Sequence, residues 1–304
     1  MNVVETSGLG KRYRKTWALR DCTLAVPAGH VVALVGPNGA GKTTLLHCAV
    51  GLSTVTTGSV TVLGDLIAGS LDALERVAFV AQDAPLHRHL SVRAMLGVAR
   101  NLNRRFDVEQ AERRLLALEI PLDRKVGKLS GGQQAQLALT VALARHPDLL
   151  VLDEPVARLD PVARHDFMAL VVTAVAEDGL SVLFSSHVVS ELERVADYLI
   201  LLAHGQVQLA GAIDDLLAGH AMLSGPVEES GSVAEGLPVV QSRRAGRYAQ
   251  LLVRTAGKPY PPSGWESDDV SLEELVLAYL REPSATTLPG PLNLMAHSST
   301  EVTM

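Results

Sequence analysis

Cysteine and aromatic residues are scarce in this chain and long apolar runs do not occur; each shortage removes a class of protein. Two cysteines, Cys22 and Cys48, stand in 304 residues. Two thiols with no paired spacing exclude a disulfide framework and a thiolate metal cluster, and they read as buried free thiols of a reducing compartment. Aromatics make up 4% of the chain, so a core must be built from Leu, Val and Ala, and 47% hydrophobic residues supply a sizeable one. Uninterrupted apolar segments fall short of the roughly 18 residues a membrane helix needs. The opening MNVVETSGLGKRYRK lacks the apolar centre of a signal peptide. The chain is therefore expected in the cytoplasm, peripheral to a membrane only where another protein holds it there. Positive charge is also short: 27 Lys and Arg against 33 Asp and Glu leave a net charge of −6, with no general attraction for nucleic acid.

What is present is concentrated in short motifs. Gly36-Pro37-Asn38-Gly39-Ala40-Gly41-Lys42-Thr43-Thr44 matches G-x-x-x-x-G-K-[ST], a phosphate-binding loop. It follows an apolar run, residues 30–35, that reads as a buried strand, and it precedes residues 43–50, which read as a helix. The glycines let backbone N–H groups turn inward around an anion, and the helix start adds its positive dipole end. Lys42 supplies a point charge for the β- and γ-phosphates. The Thr43 hydroxyl suits Mg²⁺, which prefers oxygen ligands.

Before this loop, residues 16–26 read as a strand beside the phosphate-loop strand, as do residues 58–63 after it. Lys11-Arg12-Tyr13-Arg14-Lys15 admits three readings: a small nucleic-acid patch, a surface loop, or a platform on which Tyr13 stacks against a base. Residues 76–81 read as a buried strand with Gln82 at its carboxyl end, where ligands sit in open α/β sheets. Residues 83–147 turn helical, with helices expected over 90–101 and 107–119, the second capped by Asp107 with Gln110 as its capping-box partner. Leu129-Ser130-Gly131-Gly132-Gln133 opens a third helix. Ser130 and Gln133 form a capping box, but two glycines in a first turn weaken a helix by roughly 1 kcal/mol each, which points to backbone N–H groups left bare for a phosphate. Residues 149–152 form an apolar strand ending in Asp153 and Glu154, two carboxylates that need a cation or a reaction centre. Asp153 is read as holding Mg²⁺ and Glu154 as polarising an attacking water. Asp160 caps a helix with Pro161 at its first position. Residues 181–184 form the next strand, followed by Ser185, Ser186 and His187, the last placed to reach a γ-phosphate. A helix over 188–197 and two short closing strands, 198–202 and 205–209, complete the set.

Together, from about residue 4 to about 217, these motifs resemble the ATP-binding subunits of ABC transporters. GPNGAGKTT corresponds to the Walker A loop, Gln82 to the Q-loop glutamine, LSGGQ to the family signature, LLVLDEP to the Walker B strand, Asp160 to the D-loop, His187 to the switch histidine, and Tyr13 to the aromatic that stacks on adenine. The resemblance implies an α/β fold: a P-loop NTPase core with a mostly parallel sheet, an N-terminal antiparallel β region and a helical subdomain over about 83–147. It implies ATP and Mg²⁺ as cofactors, with Thr43, Gln82 and Asp153 around the metal and Glu154, His187 and Gln82 as the catalytic set. It further implies that two copies pack head to tail, so that Ser130, Gly131, Gly132 and Gln133 of one copy close over ATP on the other. The helical subdomain would meet a membrane permease subunit near residues 82–98. Two positions depart from the usual pattern: Arg158 stands in the D-loop where a small residue is common, and Gln134 follows the signature where a cation is common.

Beyond residue 217 the resemblance thins. Residues 1–220 are taken as the ATPase domain, 221–281 as a small C-terminal α+β appendage and 282–304 as a mobile tail. Residues 225–236 read as a linker, 238–242 and 248–254 as a hairpin, and 271–281 as a capped amphipathic helix. The appendage looks like the extensions of exporter ATPases, so the sequence reading expects ATP-driven export through a separate permease, with no nucleic acid as partner. The alternative is a soluble ATPase of the same family acting on ribosomes or DNA. Such relatives usually carry two ATPase modules or a long coiled-coil insertion, and neither occurs here.

Overall fold

The structure is a computed structural model, and it describes residues 1–83, 85–157, 159–189, 193, 195–255, 261–283 and 285. Strands β1 (Asn2–Tyr13) and β2 (Thr16–Pro27) form a long hairpin, and β3 (Val31–Val35) leads into α1 (Lys42–Ala49). Then come β4 (Thr57–Val62), β5 (Leu66–Ile67), α2 (Leu71–Arg76) and β6 (Val77–Val80), followed by helices α3 (Val92–Leu102), α4 (Val108–Ala117) and α5 (Gly131–Leu143). The chain returns through β7 (Leu149–Leu152), α6 (Pro161–Asp178), β8 (Ser181–Ser186), β9 (Tyr198–Ala203), β10 (Gln206–Ala212) and α7 (Ile213–Ala218). It ends in β11 (His220–Pro226), α8 (Ser230–Ala234), β12 (Val239–Ala245), β13 (Tyr248–Arg254), β14 (Glu266–Asp268) and α9 (Leu272–Arg281).

The central sheet has the order β10-β9-β3-β8-β7-β6, parallel except for the β9–β10 pair. Its middle strands are apolar without alternation because both faces are covered. Along β3, Val31, Ala33 and Val35 point into one core with α5 and α6, while Val32 and Leu34 point into another with α1 and the N-terminal strands. Strands β2 and β4, expected beside β3, belong instead to a separate antiparallel sheet of order β2-β1-β4-β5. The reason lies in β2 itself: Arg20 and Asp21 are exposed, so β2 buries one face only, whereas the neighbours of β3 are β8 and β9, which are buried throughout or nearly so.

Helices α3, α4 and α5 share a small core of their own around Leu96, Leu115, Ile120 and Leu137. Each begins at a side-chain cap: Ser91, Asp107 and Ser130 accept the N–H of Ala94, Gln110 and Gln133 respectively.

The C-terminal third departs most from expectation. Residues 225–236 are not a linker: they complete β11 and form α8. Gly225 is small because a Cβ there would come within 2.2 Å of the Trp265 ring. Strands β12-β13-β11-β14 make a third, antiparallel sheet. The predicted hairpin is β12–β13, and the helix over 271–281 is α9, opened by a Ser271–Glu274 capping box. The boundary placed at 220/221 falls at the first residue of β11. Leu272, Leu275, Val276, Ala278 and Tyr279 of α9 join the main core beside Leu209, Ile213 and Leu216. Of the tail expected from residue 282, residues 286–304 lie outside the described residues, while Ala285 is buried in that same core. Of the helix expected over 188–197, residues 190–192 and 194 lie outside the described residues.

Candidate active site

Three strands end together. Val35 of β3 pairs with Ser186 of β8, and Leu152 of β7 pairs with Phe184 of β8. The loops leaving these carboxyl ends therefore converge, as they do where open α/β sheets bind ligands. The cleft there has a volume of about 540 Å³ and is lined by Tyr13, Ala18, Asn38, Gly39, Ala40, Gly41, Lys42, Thr43, Thr44, Gln82 and Glu154.

The phosphate loop enters α1 through Gly41, whose φ of 105° is costly for any residue with a side chain. No side chain caps α1, so its first N–H groups face the cleft, the arrangement that favours an anion. Lys42 is almost wholly buried; its Nζ donates to Gly36 O at 2.8 Å and Pro37 O at 3.3 Å and lies 3.4 Å from Glu154 Oε1. The cation is thus held at the mouth of the loop by carbonyls and pointed toward the Glu154 carboxylate.

Asp153 and Glu154 are separated in role by one buried hydroxyl. Ser185 Oγ donates to Asp153 Oδ1 at 2.7 Å and accepts the Glu154 N–H at 2.8 Å. Thr43 Oγ1 donates to the same Asp153 oxygen at 3.2 Å. Two oxygens adjacent in an octahedron with metal–oxygen distances of about 2.1 Å stand about 3 Å apart, so Thr43 and Asp153 fit as neighbouring ligands of Mg²⁺. Among the described residues no group of three or more His, Cys, Asp or Glu gathers as a metal cage, and Mg²⁺ bound through one or two protein oxygens plus phosphates and water needs none.

Glu154 has a φ of 44°, left-handed for a residue with a side chain. Such strain costs about 1–3 kcal/mol and persists where neighbours over-determine it; here the Ser185 hydroxyl fixes its N–H. The turn brings its carboxylate between Lys42 and His187, whose Nδ1 lies 3.4 Å from Glu154 Oε2. Ser185 is the residue the sequence reading passed over. Its signal was a pair of hydroxyls, Ser185 and Ser186, closing an apolar strand, and it is fully buried.

The structure brings Tyr13, the phosphate loop, Gln82, Asp153, Glu154 and His187 together, and it places the signature elsewhere. Ser130 and Gly131 are exposed at the start of α5, outside the lining of the cleft. The predicted capping box forms, with Gln133 N to Ser130 Oγ at 3.2 Å and Ser130 N to Gln133 Oε1 at 3.1 Å. One of the two glycines has a packing reason after all: a Cβ on Gly132 would come within 2.8 Å of Ala163 Cβ in α6, whereas Gly131 faces open space. Gln134 closes the turn from below by donating to Leu129 O at 2.9 Å. Asp160 caps α6 through the N–H groups of Val162 and Ala163. Arg158 lies outside the described residues. Both cysteines are free and buried, and burial pushes the Cys22 thiol up to about 11 and raises that of Cys48 as well, so neither is a reactive group of the site.

Residues 19–157 match the protein family described as ABC transporter. The chain is 38% identical over 208 residues to the molybdenum import ATP-binding protein ModC of Aromatoleum aromaticum, covering 65% of this chain and 55% of that protein. It is 35% identical over 207 residues to the thiamine import ATP-binding protein ThiQ of Salmonella typhimurium, covering 66% of this chain and 88% of the relative. Among solved structures, an ATP-binding subunit of an ABC transporter superposes with a TM-score of 0.63 at 28% identity, covering 70% of this chain and 91% of the other. A dimeric bacterial ABC transporter cassette matches at 0.62 and 25% identity over 69% of this chain and 98% of its own. The two sequence relatives are named for import, the opposite of the export expected from the C-terminal region.

Proposed function

The chain belongs to the ABC transporter family of ATP-binding proteins, and on that premise we propose that it hydrolyses ATP to drive an importer, as a pair of copies held beneath a separate membrane permease. The observation that carries this reading is a division within one chain. The cleft gathers Lys42, Thr43, Gln82 and Glu154, while Ser130 and Gly131 stand exposed at another surface. A second copy, placed head to tail, brings its own residues 130–133 to that cleft and completes two sites at once. The dimeric cassette among the structural neighbours supports that assembly.

In this reading Lys42 and the N–H groups opening α1 hold the β- and γ-phosphates, and Tyr13 stacks on the base. Thr43 and Asp153, with Gln82 at the edge, hold Mg²⁺, which when bound neutralises phosphate charge. A triphosphate competes with Glu154 for Lys42 and so turns the carboxylate toward the attacking water, whose proton it accepts. His187, beside Glu154, donates toward the γ-phosphate. Catalysis is positioning and electrostatics.

Import rather than export is supported by the names of the relatives. They carry two different cargoes, which supports cargo selection by the permease. They are transport proteins and lend nothing to the ribosome or DNA alternative. Among the described residues no helix is long and apolar enough to cross a membrane. For the permease contact the surface favours a groove of about 620 Å³ where Leu52, Leu71, Leu74 and Leu102 stand exposed beside Arg104 and Arg105. It lies between α1, α2 and the end of α3. A short amphipathic helix on the permease's cytoplasmic side fits such a surface.

The test is Glu154→Gln. With Mg-ATP this variant elutes as a dimer on a sizing column and releases phosphate about a hundredfold more slowly or worse. A variant that stays monomeric while binding ATP sinks the two-copy site.

A further inference from the structure

The basic stretch at residues 11–15 is not one patch. Alternation along β1 sends its first two cations to opposite faces. Lys11 Nζ lies 5.0 Å from the centre of the Tyr13 ring, two residues on and on the same face, whereas Arg12 lies 5.9 Å from the Trp17 ring. Each cation therefore belongs to an aromatic of the hairpin.

The Tyr13 ring is held from several sides although it is half exposed. Lys11 Nζ donates to Thr54 O at 2.6 Å, which pins the ammonium that covers one ring face. Tyr13 Oη lies 3.4 Å from Ser53 Oγ. Arg12 N donates to Thr56 Oγ1 at 3.0 Å, and Thr56 N donates to Gly10 O at 2.8 Å, joining β1 to the same loop. That loop leaves the end of α1, and Ser53 N still donates to His47 O within the helix at 3.1 Å. The fixings of the ring are thus part of the body that carries Lys42 and Thr43. An exposed aromatic at a hairpin tip otherwise samples several rotamers and must be ordered when a ligand arrives.

We propose that Lys11, with Ser53 and Thr54, is a positioning residue for nucleobase recognition: it covers one face of Tyr13 and presents the other to the base at a preset distance from the phosphate loop. This rests on the nucleotide reading above and deepens it. An ammonium over a π face is attracted by the ring quadrupole, and with one face taken, the base has a single face to stack on.

The test compares binding of Mg-ATP with binding of Mg-tripolyphosphate, which offers phosphates and no base, to the full-length chain by calorimetry. Lys11→Met keeps the aliphatic stem and removes the charge. It is expected to weaken ATP binding about three- to fivefold, to leave tripolyphosphate binding unchanged, and to raise KM for ATP by the same factor. Lys11→Arg restores the preference, because a guanidinium also sits on ring faces. Ser53→Ala moves the ratio in the same direction by less. Equal weakening of both ligands makes Lys11 a general phosphate attractant and overturns the proposal, as does an unchanged ratio. A wild-type chain that binds tripolyphosphate as tightly as ATP removes Tyr13 as a base platform and the proposal with it. A wild-type chain that binds neither overturns the nucleotide reading itself.

Discussion

Two clusters of polar groups sit in different regions of the molecule and use similar chemistry. At the edge of the central sheet, Lys42, Thr43, Asp153, Glu154 and Ser185 meet beside a cleft. Between the third sheet and the main core, His220, Arg254 and Tyr279 meet, all three buried. There Arg254 Nε donates to Tyr279 Oη at 2.6 Å, the tyrosine donates to His220 Nε2 at 2.9 Å, and His220 Nδ1 donates to Leu216 O at 2.6 Å. Arg254 Nη2 donates to Ala285 O at 2.7 Å. The carbonyl of Leu216 can only accept, which fixes the tautomer and hence the direction of the whole relay. In the second cluster each group is turned inward and occupied. In the first, Glu154 and His187 retain exposure and face a space large enough for a ligand. A closed relay of this kind specifies how elements dock; an open one has capacity left for chemistry.

The contrast is broken most forcefully by Lys42→Ala. Loss of a preorganised cation at the phosphates is expected to lower turnover by about a hundred- to a thousandfold, measured as phosphate release. Unfolding free energy in urea should fall by no more than about 1 kcal/mol, because a nearly buried cation is costly to desolvate. Arg254→Met should do the reverse. It removes at least two charge-assisted hydrogen bonds and is expected to cost about 2–3 kcal/mol of stability, while ATP turnover per folded molecule stays within about twofold. If Arg254→Met abolished turnover in folded protein, the second cluster would have to be counted as part of the machinery. The smallest effect should be a pH dependence of the closed relay. Burial holds His220 below its ordinary value of 6.5; the hydrogen bond to Leu216 opposes this, and Arg254 adds to it. A base whose folded value is lowered contributes stability that is complete above its ordinary value and is lost as pH falls through the range beneath it. Urea midpoints taken between pH 8 and pH 5 should therefore drop on acidification more steeply in the wild type than in His220→Gln. Equal slopes would remove His220 as the cause.

Legibility in the sequence followed the same division. The open cluster is assembled from contiguous motifs, so Gly36 to Thr44, Asp153, Glu154 and His187 were readable in place, and the strand ends that unite them followed from three apolar runs. Ser185 escaped because a serine at a strand end is common and its two hydrogen bonds run to another strand. In the closed cluster only Tyr279 is legible, as part of the apolar side of the helix over 271–281. His220 and Tyr279 are 59 residues apart, and neither stands in a motif. The supposed linker failed for a related reason. Glycine and serine suggest flexibility by composition, yet Gly225 is small to admit the indole of Trp265, a constraint visible only once β11 and that ring are neighbours. The sheet membership of β4, where Val62 pairs with Val4, is a long-range pairing of the same sort, whereas β2 pairs with β1 through a local hairpin.

The seat of α9 in the main core has a consequence in time. Synthesis passes through β3 long before it reaches residues 272–281. At about 5–20 residues per second, the apolar face built from Leu209, Ile213 and Leu216 waits about 3–13 seconds for Leu275, Val276 and Tyr279 to cover it. The strand leading into the phosphate loop thus emerges well before the core around it is complete. A message cut short, or a ribosome stalled before α9, leaves a nearly complete cassette with an adhesive side, a natural substrate for chaperones and proteases.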